Sequence, residues 1–487
     1  MGRPCGFAGC GTRSPAVLSR RSQKRVAVEL ALFAGLLDGE FEVDHHAEWR
    51  PGMAVQVMSD LGPFVKDVSL PRLTLVRRLG VSAPLGDVEA RTRREVQRVL
   101  SAAQRRPGPV AVTAGSRGIA NLVSIVRGVV AELRRAGWSP FVVPAMGSHG
   151  GGTERGQIAV LEELGVTEQA VGAPVRSTLT VEDVGLVRGS HLFIDRFAAQ
   201  AGAVFVVNRV KAHTDFHGEI ESGPSKMLAI GLGHVPSALE LHAGGQAGLQ
   251  VGIPEAAKVL VAKGIVVGAI ATVENEIGQT ALVQGLLPEE IGEEPEMRLL
   301  TLAKAMMPRL PFSELDALVV QRLGKDISGE GVDPNVIGRM YITGVSEPES
   351  PSITCIAALS LTEASPGNAL GIGLTDFISG RLAQAIDFKA MYANALTAGI
   401  VDVRRAKLPI VLPTDRLAIQ AALASCGRRD LSNARVMWIE DTEHLEIVGV
   451  SEPLARDARR REDLSTAGEG CEMRFDSQGS LLPLGRS

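Results

Sequence analysis

A short apolar strand that breaks into a glycine turn decides the fold: residues 110–118 read VAVTAGSRG. The first five residues are small or branched and mostly apolar, which is typical of a strand buried on both faces. Residues 119–135 then carry apolar side chains at helical spacing. The stretch therefore predicts one unit of strand, glycine turn and amphipathic helix.

The same unit follows immediately along the chain. Residues 140–153 read PFVVPAMGSHGGGT, and a second helix is predicted to begin near Thr153. Further buried strands are predicted at residues 203–207, 264–273, 315–321 and 352–359. Strands that alternate with helices form parallel sheets with right-handed crossovers. The predicted fold class is α/β, with an N-terminal open parallel sheet and flanking helices, a smaller C-terminal α/β domain, and a cleft between the two domains.

The length of 487 residues is typical of two domains with tails. We predict a catalytic domain over residues 66–295 and a second α/β domain over residues 296–455. Residues 1–65 are predicted to be an N-terminal extension that is partly disordered. Residues 456–487 are charged and then rich in Gly and Ser, and we predict a loose tail there.

The composition excludes several classes of protein. A formal net charge of −4 gives no basic field that would attract nucleic acid. No run of about 18 apolar residues is present, so no membrane span is predicted. The five cysteines are scattered without a close pair, which favours a reducing compartment over a disulfide framework. No signal-peptide pattern opens the chain, and we expect a cytoplasmic protein.

Chemistry is concentrated in residues 208–226, which read NRVKAHTDFHGEIESGPSK after the predicted strand 203–207. In open parallel sheets, ligands bind beyond the carboxyl ends of the strands, and the two glycine turns at 115–118 and 147–152 are predicted to lie at that same edge. Glycines let a ligand approach the backbone, and helix N-termini attract anions. We therefore predict an anion or cofactor site at this edge.

Two features of this stretch are open to more than one interpretation. His213 and His217 are four residues apart, which on a helix would place both on one face as metal ligands, although the nearby Gly and Pro favour an irregular loop. Lys226 precedes an apolar segment, where a desolvated lysine is a good nucleophile. The alternative for Lys226 is a phosphate clamp or an ion pair with Glu219 or Glu221.

The motifs at residues 114–118, 144–151, 208–233 and 324–335 (GKDISGEGVDPN) resemble those of the nickel-pincer-nucleotide lactate racemase family. The resemblance extends over about residues 70–455 and is strongest to an uncharacterised branch with a lactate-racemase-like N-terminal domain. It implies an isomerase, a racemase or epimerase of a 2-hydroxy acid. Such an enzyme abstracts a hydride and returns it through a nickel-pincer nucleotide that other proteins synthesise.

The resemblance also implies a role for four of the residues. Lys226 corresponds to the lysine that tethers the cofactor covalently, and His242 corresponds to the histidine that ligates nickel. His149 and His213 correspond to the acid and base that exchange the proton of the substrate hydroxyl. An imidazole suits both tasks, because its pKa is near neutral and its neutral form ligates nickel.

Three more residues are implied to bind the cofactor, namely Arg117, Ser116 and Gly223, and a small anionic substrate is implied as the ligand. The chain departs from the family pattern at Ala114, where the racemases carry an aspartate. Lys325 is a candidate for substrate contact by its chemistry alone.

Two other classes of function stay open at this point. One is a hydrolase or lyase that holds a divalent metal on His213, His217 and His242. The other is a non-catalytic protein that binds an anion or a nucleotide with Arg117 and the glycine turns.

Overall fold

A computed structural model describes residues 61, 64, 65, 67–103, 105–116, 118–147 and 149–483. The predicted extension over residues 1–65 lies outside the described residues except at 61, 64 and 65, and Arg117 also lies outside them. The described residues belong to a single compact unit, in which two large sheets are flanked by helices. The predicted α/β class is confirmed.

The first sheet has five strands in the order β3-β2-β6-β7-β8. Its first three pairings are parallel and only β8 is antiparallel. The predicted strands at 110–114, 140–144, 203–207 and 264–273 are confirmed within three residues. The five strands are β2 (Pro109–Ala114), β3 (Ser139–Pro144), β6 (Val204–Arg209), β7 (Val266–Glu274) and β8 (Thr280–Leu286).

Helices cover both faces of this sheet, as its strand sequences require. Along β6, Val204 and Val206 join one apolar cluster, whereas Phe205 and Val207 join another on the opposite face. A strand buried on both faces must be apolar throughout. The elements around the sheet are α1 (Val88–Ala102), α2 (Leu122–Arg135), α3 (Glu154–Glu163), α4 (Glu168–Val171), hairpin β4 (Val181–Val187) and β5 (Ser190–Asp195), α5 (Arg196–Ala201), α6 (Pro224–Lys226), α7 (His234–Ala243), α8 (Gly245–Gln250), α9 (Gly252–Ala262) and α10 (Glu294–Met306).

The second sheet has eight strands in the order β12-β11-β10-β9-β13-β14-β1-β15. The half from β12 to β13 is parallel, and the pairings from β13 to β15 are antiparallel. The strands are β1 (Leu73–Arg78), β9 (Glu314–Val320), β10 (Ser352–Ala358), β11 (Phe377–Ser379), β12 (Ile410–Leu412), β13 (Val436–Ile439), β14 (Ile447–Val450) and β15 (Leu464–Cys471). Its helices are α11 (Pro334–Ile337), α12 (Gly380–Gln384), α13 (Phe388–Ala398), α14 (Asp415–Ser425) and α15 (Glu452–Ala458).

Two segments depart from the sequence-based prediction. The loose tail predicted for 456–487 is wrong over residues 464–471, which form β15 and pair with β1. β1 itself precedes the first sheet in the chain but belongs to the second. β15 is the edge strand of the sheet, and most of its described side chains are exposed or half-buried, so its apolar signal in the sequence is weak.

None of the described helices combines the length and the apolar character needed to cross a lipid bilayer.

Two leucines of the C-terminal segment should differ in how much their truncation lowers stability. Leu464 in β15 is 6% exposed, whereas Leu482 is 38% exposed. Leu464→Ala should lower the free energy of unfolding by about 2–5 kcal/mol, and Leu482→Ala should change it by no more than about 0.5 kcal/mol. Urea denaturation of the full-length variants measures both. A loose tail would leave both values near zero.

Candidate active site

The three polar turns lie at one edge of the first sheet. β2 pairs in parallel with both β3 and β6, so the carboxyl ends of all three strands point the same way. The turn after β3 joins the turn after β2 through the Ala145 N–H and the Ala114 carbonyl (2.8 Å). It also reaches the segment after Lys226 through the Gly147 N–H and the Gly231 carbonyl (3.3 Å). The prediction that these turns share an edge is confirmed.

His149 lies in the turn after β3 and contacts the turn after β2. Its Nδ1 forms a hydrogen bond with the hydroxyl of Ser116. Three glycines that follow, Gly150 to Gly152, all adopt positive φ angles between 62° and 69°. A Cβ on Gly150 would lie 2.7 Å from the backbone nitrogen of Gln157, so the close turn that presents His149 depends on glycine there.

The loop over residues 210–223 has no regular secondary structure, as predicted, and a buried carboxylate shapes it. Glu221 accepts the backbone N–H of His213 (2.8 Å) and that of Gly218 (3.0 Å). It also accepts Nζ of Lys304 on α10 (2.6 Å) and contacts Nδ1 of His217 (3.3 Å). Burial acts to raise the pKa of Glu221, but these hydrogen bonds outweigh it and hold the pKa below its ordinary value.

Lys226 ends α6 and leads into a π-helical turn at Met227–Gly231. The buried carboxylate of Glu296 caps the start of α6, where it accepts the backbone N–H (3.0 Å) and the hydroxyl (2.6 Å) of Ser225. Gly223, at φ 85°, leaves room for this contact, because a Cβ there would lie 2.8 Å from a Glu296 oxygen. Gly223 therefore has a structural role in presenting Lys226.

Nζ of Lys226 forms a hydrogen bond with Nε2 of His213. Nδ1 of the same ring accepts the backbone N–H of Asp215 at 3.0 Å, so the single proton of a neutral imidazole is on Nε2. Nε2 of that tautomer faces Nζ of Lys226.

His242 lies in the last turn of α7 and is held by its own helix. Its Nδ1–H donates to the carbonyl of Ala238 at 2.6 Å, which leaves the lone pair of Nε2 as the ligating atom. Burial is the main cause that lowers the pKa of His242, and an ammonium on Lys226 would lower it further, whereas the Ala238 carbonyl and Asp215 act in the opposite direction. The imidazole is therefore neutral at neutral pH.

Residues from the second sheet and its connections contact the His213 segment. Nδ2 of Asn335 donates to the His213 carbonyl at 3.0 Å. Nη2 of Arg405 donates to the Thr214 carbonyl at 2.8 Å, and Nη1 donates to Oδ1 of Asp215 at 2.8 Å. His213, the predicted acid/base residue, is therefore contacted both from the region of the first sheet and from the region of the second sheet.

Arg405 also faces two further buried carboxylates, Glu330 at 3.5 Å and Asp402 at 3.6 Å. Burial first, then the charges of Glu330 and Asp215, raise the pKa of Asp402 to about 9. Asp402 is therefore protonated at neutral pH. Sequence reasoning missed Arg405 and Asp402, which are far from residues 208–226 in the chain, and it gave no role to Glu330 within the motif at 324–335.

The remaining candidates are the proposed metal ligands and Lys325. Among the described residues, the one group of three or more ligand side chains close enough for a metal is Asp215, Glu330 and Asp402. His213, His217 and His242 do not form such a group, which disfavours the hydrolase alternative. Nζ of Lys325 contacts the carbonyl of Gly329, and its charge acts on Asp402.

A pocket of about 80 Å³ adjoins the loop and is lined by Arg209, Lys211 and Ala212, together with Asp333 and Glu443. None of the side chains predicted as catalytic or as ligands lines this pocket.

Two solved structures resemble the chain. A protein from Thermotoga maritima matches with 13% identity and a TM-score of 0.43, over 74% of this chain and 98% of the other. The lactate racemase apoprotein from Thermoanaerobacterium thermosaccharolyticum matches with 12% identity and a TM-score of 0.38, over 76% and 89%. No family model and no curated protein matches the sequence.

The Glu221 contacts predict a stability effect with a defined pH dependence. Glu221→Gln should lower the free energy of unfolding by about 1–3 kcal/mol at pH 7. Because the folded pKa of Glu221 lies below 4.5, its contribution is complete above that value and is lost as the pH falls through the folded pKa. The difference from wild type should therefore shrink in acid. Glu219→Gln, on an exposed residue of the same loop, is the control and should match wild type in urea titrations.

For the contribution of Asp402 to stability we expect the opposite pH dependence. The folded state keeps a proton that the unfolded chain releases above its ordinary pKa of 3.8. Stability should therefore fall as the pH rises between that value and about 9. Asp402→Asn should flatten this slope and gain stability relative to wild type at pH 8 to 9, as measured by urea denaturation across that range. Asp67→Asn, on the exposed surface, should keep the wild-type slope.

Proposed function

We propose that the protein is a racemase or epimerase of a 2-hydroxy acid that works with a nickel-pincer nucleotide. The observation that carries the proposal is the contact between Lys226 and His213. By the resemblance of its motifs to the lactate racemase family, the sequence assigns the tether to Lys226, an acid/base role to His213 and the nickel ligand to His242, whose Nδ1 is held by its own helix.

The chemistry of the donor groups fits such a cofactor. A neutral amine on Lys226 is the nucleophilic form that a covalent tether to the nucleotide would require. Nε2 of His242 is unprotonated, because Nδ1–H donates to Ala238, and neutral imidazole ligates nickel well. When bound, the cofactor would supply a reversible acceptor for the hydride of the substrate.

The protein's own residues would handle the proton and the substrate charge. His213 and His149 would exchange the proton of the 2-hydroxyl, a contribution of about 10²–10⁴ in rate. The ring of Phe216 packs at 4.5 Å from that of His213, and the Ser116 hydroxyl orients His149. The substrate carboxylate and the cofactor phosphate would bind at the glycine turns, with Arg117 as the proposed guanidinium partner.

The tether assignment is tested by intact mass. The protein is co-expressed with the enzymes that make the cofactor, and wild type is compared with Lys226→Ala. Wild type should carry an added mass and bound nickel, and Lys226→Ala should lose both. Lys211→Ala is the matched control, a lysine of the same loop that should keep the added mass.

The outcome for His242 separates the tether from the metal. His242→Ala should keep the added mass and lose most of the nickel by elemental analysis. An added mass that survives in Lys226→Ala would refute the tether. Zinc without any nucleotide adduct in the wild-type protein would favour a simple metal enzyme instead.

A further inference from the structure

His213 lies in a segment whose conformation no secondary structure determines. Between β6 and α6 the backbone forms neither helix nor strand. Side chains bind its backbone polar groups. Glu221 does so from the same loop, and Asn335 and Arg405 do so from the part of the molecule that carries the second sheet. The orientation of the imidazole therefore depends on those side chains.

Arg405 is the largest fully buried side chain among the described residues, and each of its three guanidinium nitrogens donates a hydrogen bond. Nε donates to the Met340 carbonyl at 2.8 Å, which anchors the side chain in its own half. Nη1 and Nη2 donate to Asp215 and Thr214. This planar fork fixes two consecutive residues at once, which a lysine would not reproduce.

Asp215 transmits this contact to His213. Its backbone N–H donates to Nδ1 of the ring (3.0 Å), and its carboxylate lies 3.7 Å from the same nitrogen. The N–H determines the tautomer, and the carboxylate would stabilise the ring after it takes up a proton. Both depend on the rotation of residues 214 and 215, which Arg405 holds.

The neighbouring charges direct the guanidinium to Asp215. Glu330 and Asp402 are farther away, at 3.5 Å and 3.6 Å against 2.8 Å. Burial raises the pKa of Asp402 to about 9, which makes it neutral. Burial also acts to raise the pKa of Asp215, but the charge of His213 when that ring is protonated, the Arg405 guanidinium and the Thr214 hydroxyl outweigh it and keep the pKa low. Asp215 is thus the nearest charged partner.

We infer that Arg405 is a positioning residue that acts through Asp215 to hold His213 in the Nε2–H tautomer and aim it at Lys226. The acid/base role of His213 rests on the proposed function, whereas the effect of Arg405 on the ring does not. A residue from the region of the second sheet thereby positions a histidine that lies beside the first sheet.

The test is histidine-selective ¹⁵N NMR of the full-length chain, which contains nine histidines. His213→Gln identifies the His213 signals by their loss. Wild type should show one tautomer, with Nδ1 unprotonated. Arg405→Gln should replace this pattern by a mixture of tautomers or by broadened signals. If Arg405→Gln does not fold, Arg405→Lys serves, since it keeps the charge and loses the fork, and the same change is expected.

Arg339→Gln is the matched control. Arg339 is also a buried arginine of the second half, and it bonds the carbonyls of Leu374, Ile353 and Thr354 but not residues 213–215. Its variant should keep the wild-type His213 signals. The inference fails if Arg405→Gln or Arg405→Lys leaves these signals unchanged, or if Arg339→Gln alters them to the same extent.

Activity separates this inference from the proposed function. If wild type racemises a 2-hydroxy acid, Arg405→Gln should lower kcat about 100-fold through misplacement of the acid/base residue His213, with the added mass on Lys226 retained. If wild type shows no such activity while Arg405→Gln still changes the His213 tautomer, the proposed function is wrong and the positioning role stands. An active Arg405→Gln enzyme with wild-type kcat would overturn the positioning role.

Discussion

Parallel hydrogen bonding of β2 with β3 and with β6 is the constraint on which the candidate site depends. It brings the carboxyl ends of three strands to one edge, although the turns that follow them are separated by about 30 and 60 residues in the chain. Each turn contributes a different group: Ser116, His149 and the His213 segment. An antiparallel arrangement of any one strand would send its turn to the opposite edge.

The site also shows how a protein orders a loop that cannot use a ladder of backbone hydrogen bonds. Buried backbone groups need partners, and residues 210–223 find them in side chains. Glu221 is suited to this because one carboxylate accepts several donors at once, and Lys304 balances its charge. The same solution recurs at Glu296, which accepts three donors, two from Ser225 and one from Gly292.

Sequence reasoning predicted the parts of this structure that have a local signal. The buried strands show as short apolar runs and the turns show as glycine clusters, so the first sheet, its edge and the position of Lys226 were predictable. Arg405 was not, since it is one of 51 Lys and Arg residues and lies 190 residues from the Asp215 that it contacts. β15 was not predicted for a related reason. Its sequence, LSTAGEGC, has few large apolar residues, and only its pairing with β1 makes it a strand. In both cases the information lies in a long-range contact.

The contact between Lys226 and His213 restricts the charge states that the site can adopt. A charged Lys226 and a charged His213 in hydrogen-bond contact would repel each other strongly in a buried environment. At most one of these two side chains is therefore charged. The Asp215 N–H on Nδ1 is the contact made by a neutral imidazole that carries its proton on Nε2. In that tautomer Nε2–H is a donor, and the lone pair of the ring, on Nδ1, is held by the Asp215 N–H. Covalent modification of Lys226 would release Nε2–H to donate to another group. Asp215, kept ionised with the help of Arg405, lies 3.7 Å from Nδ1 and would stabilise the ring when that nitrogen takes up a proton, so that a buried guanidinium from the region of the second sheet acts on a histidine beside the first.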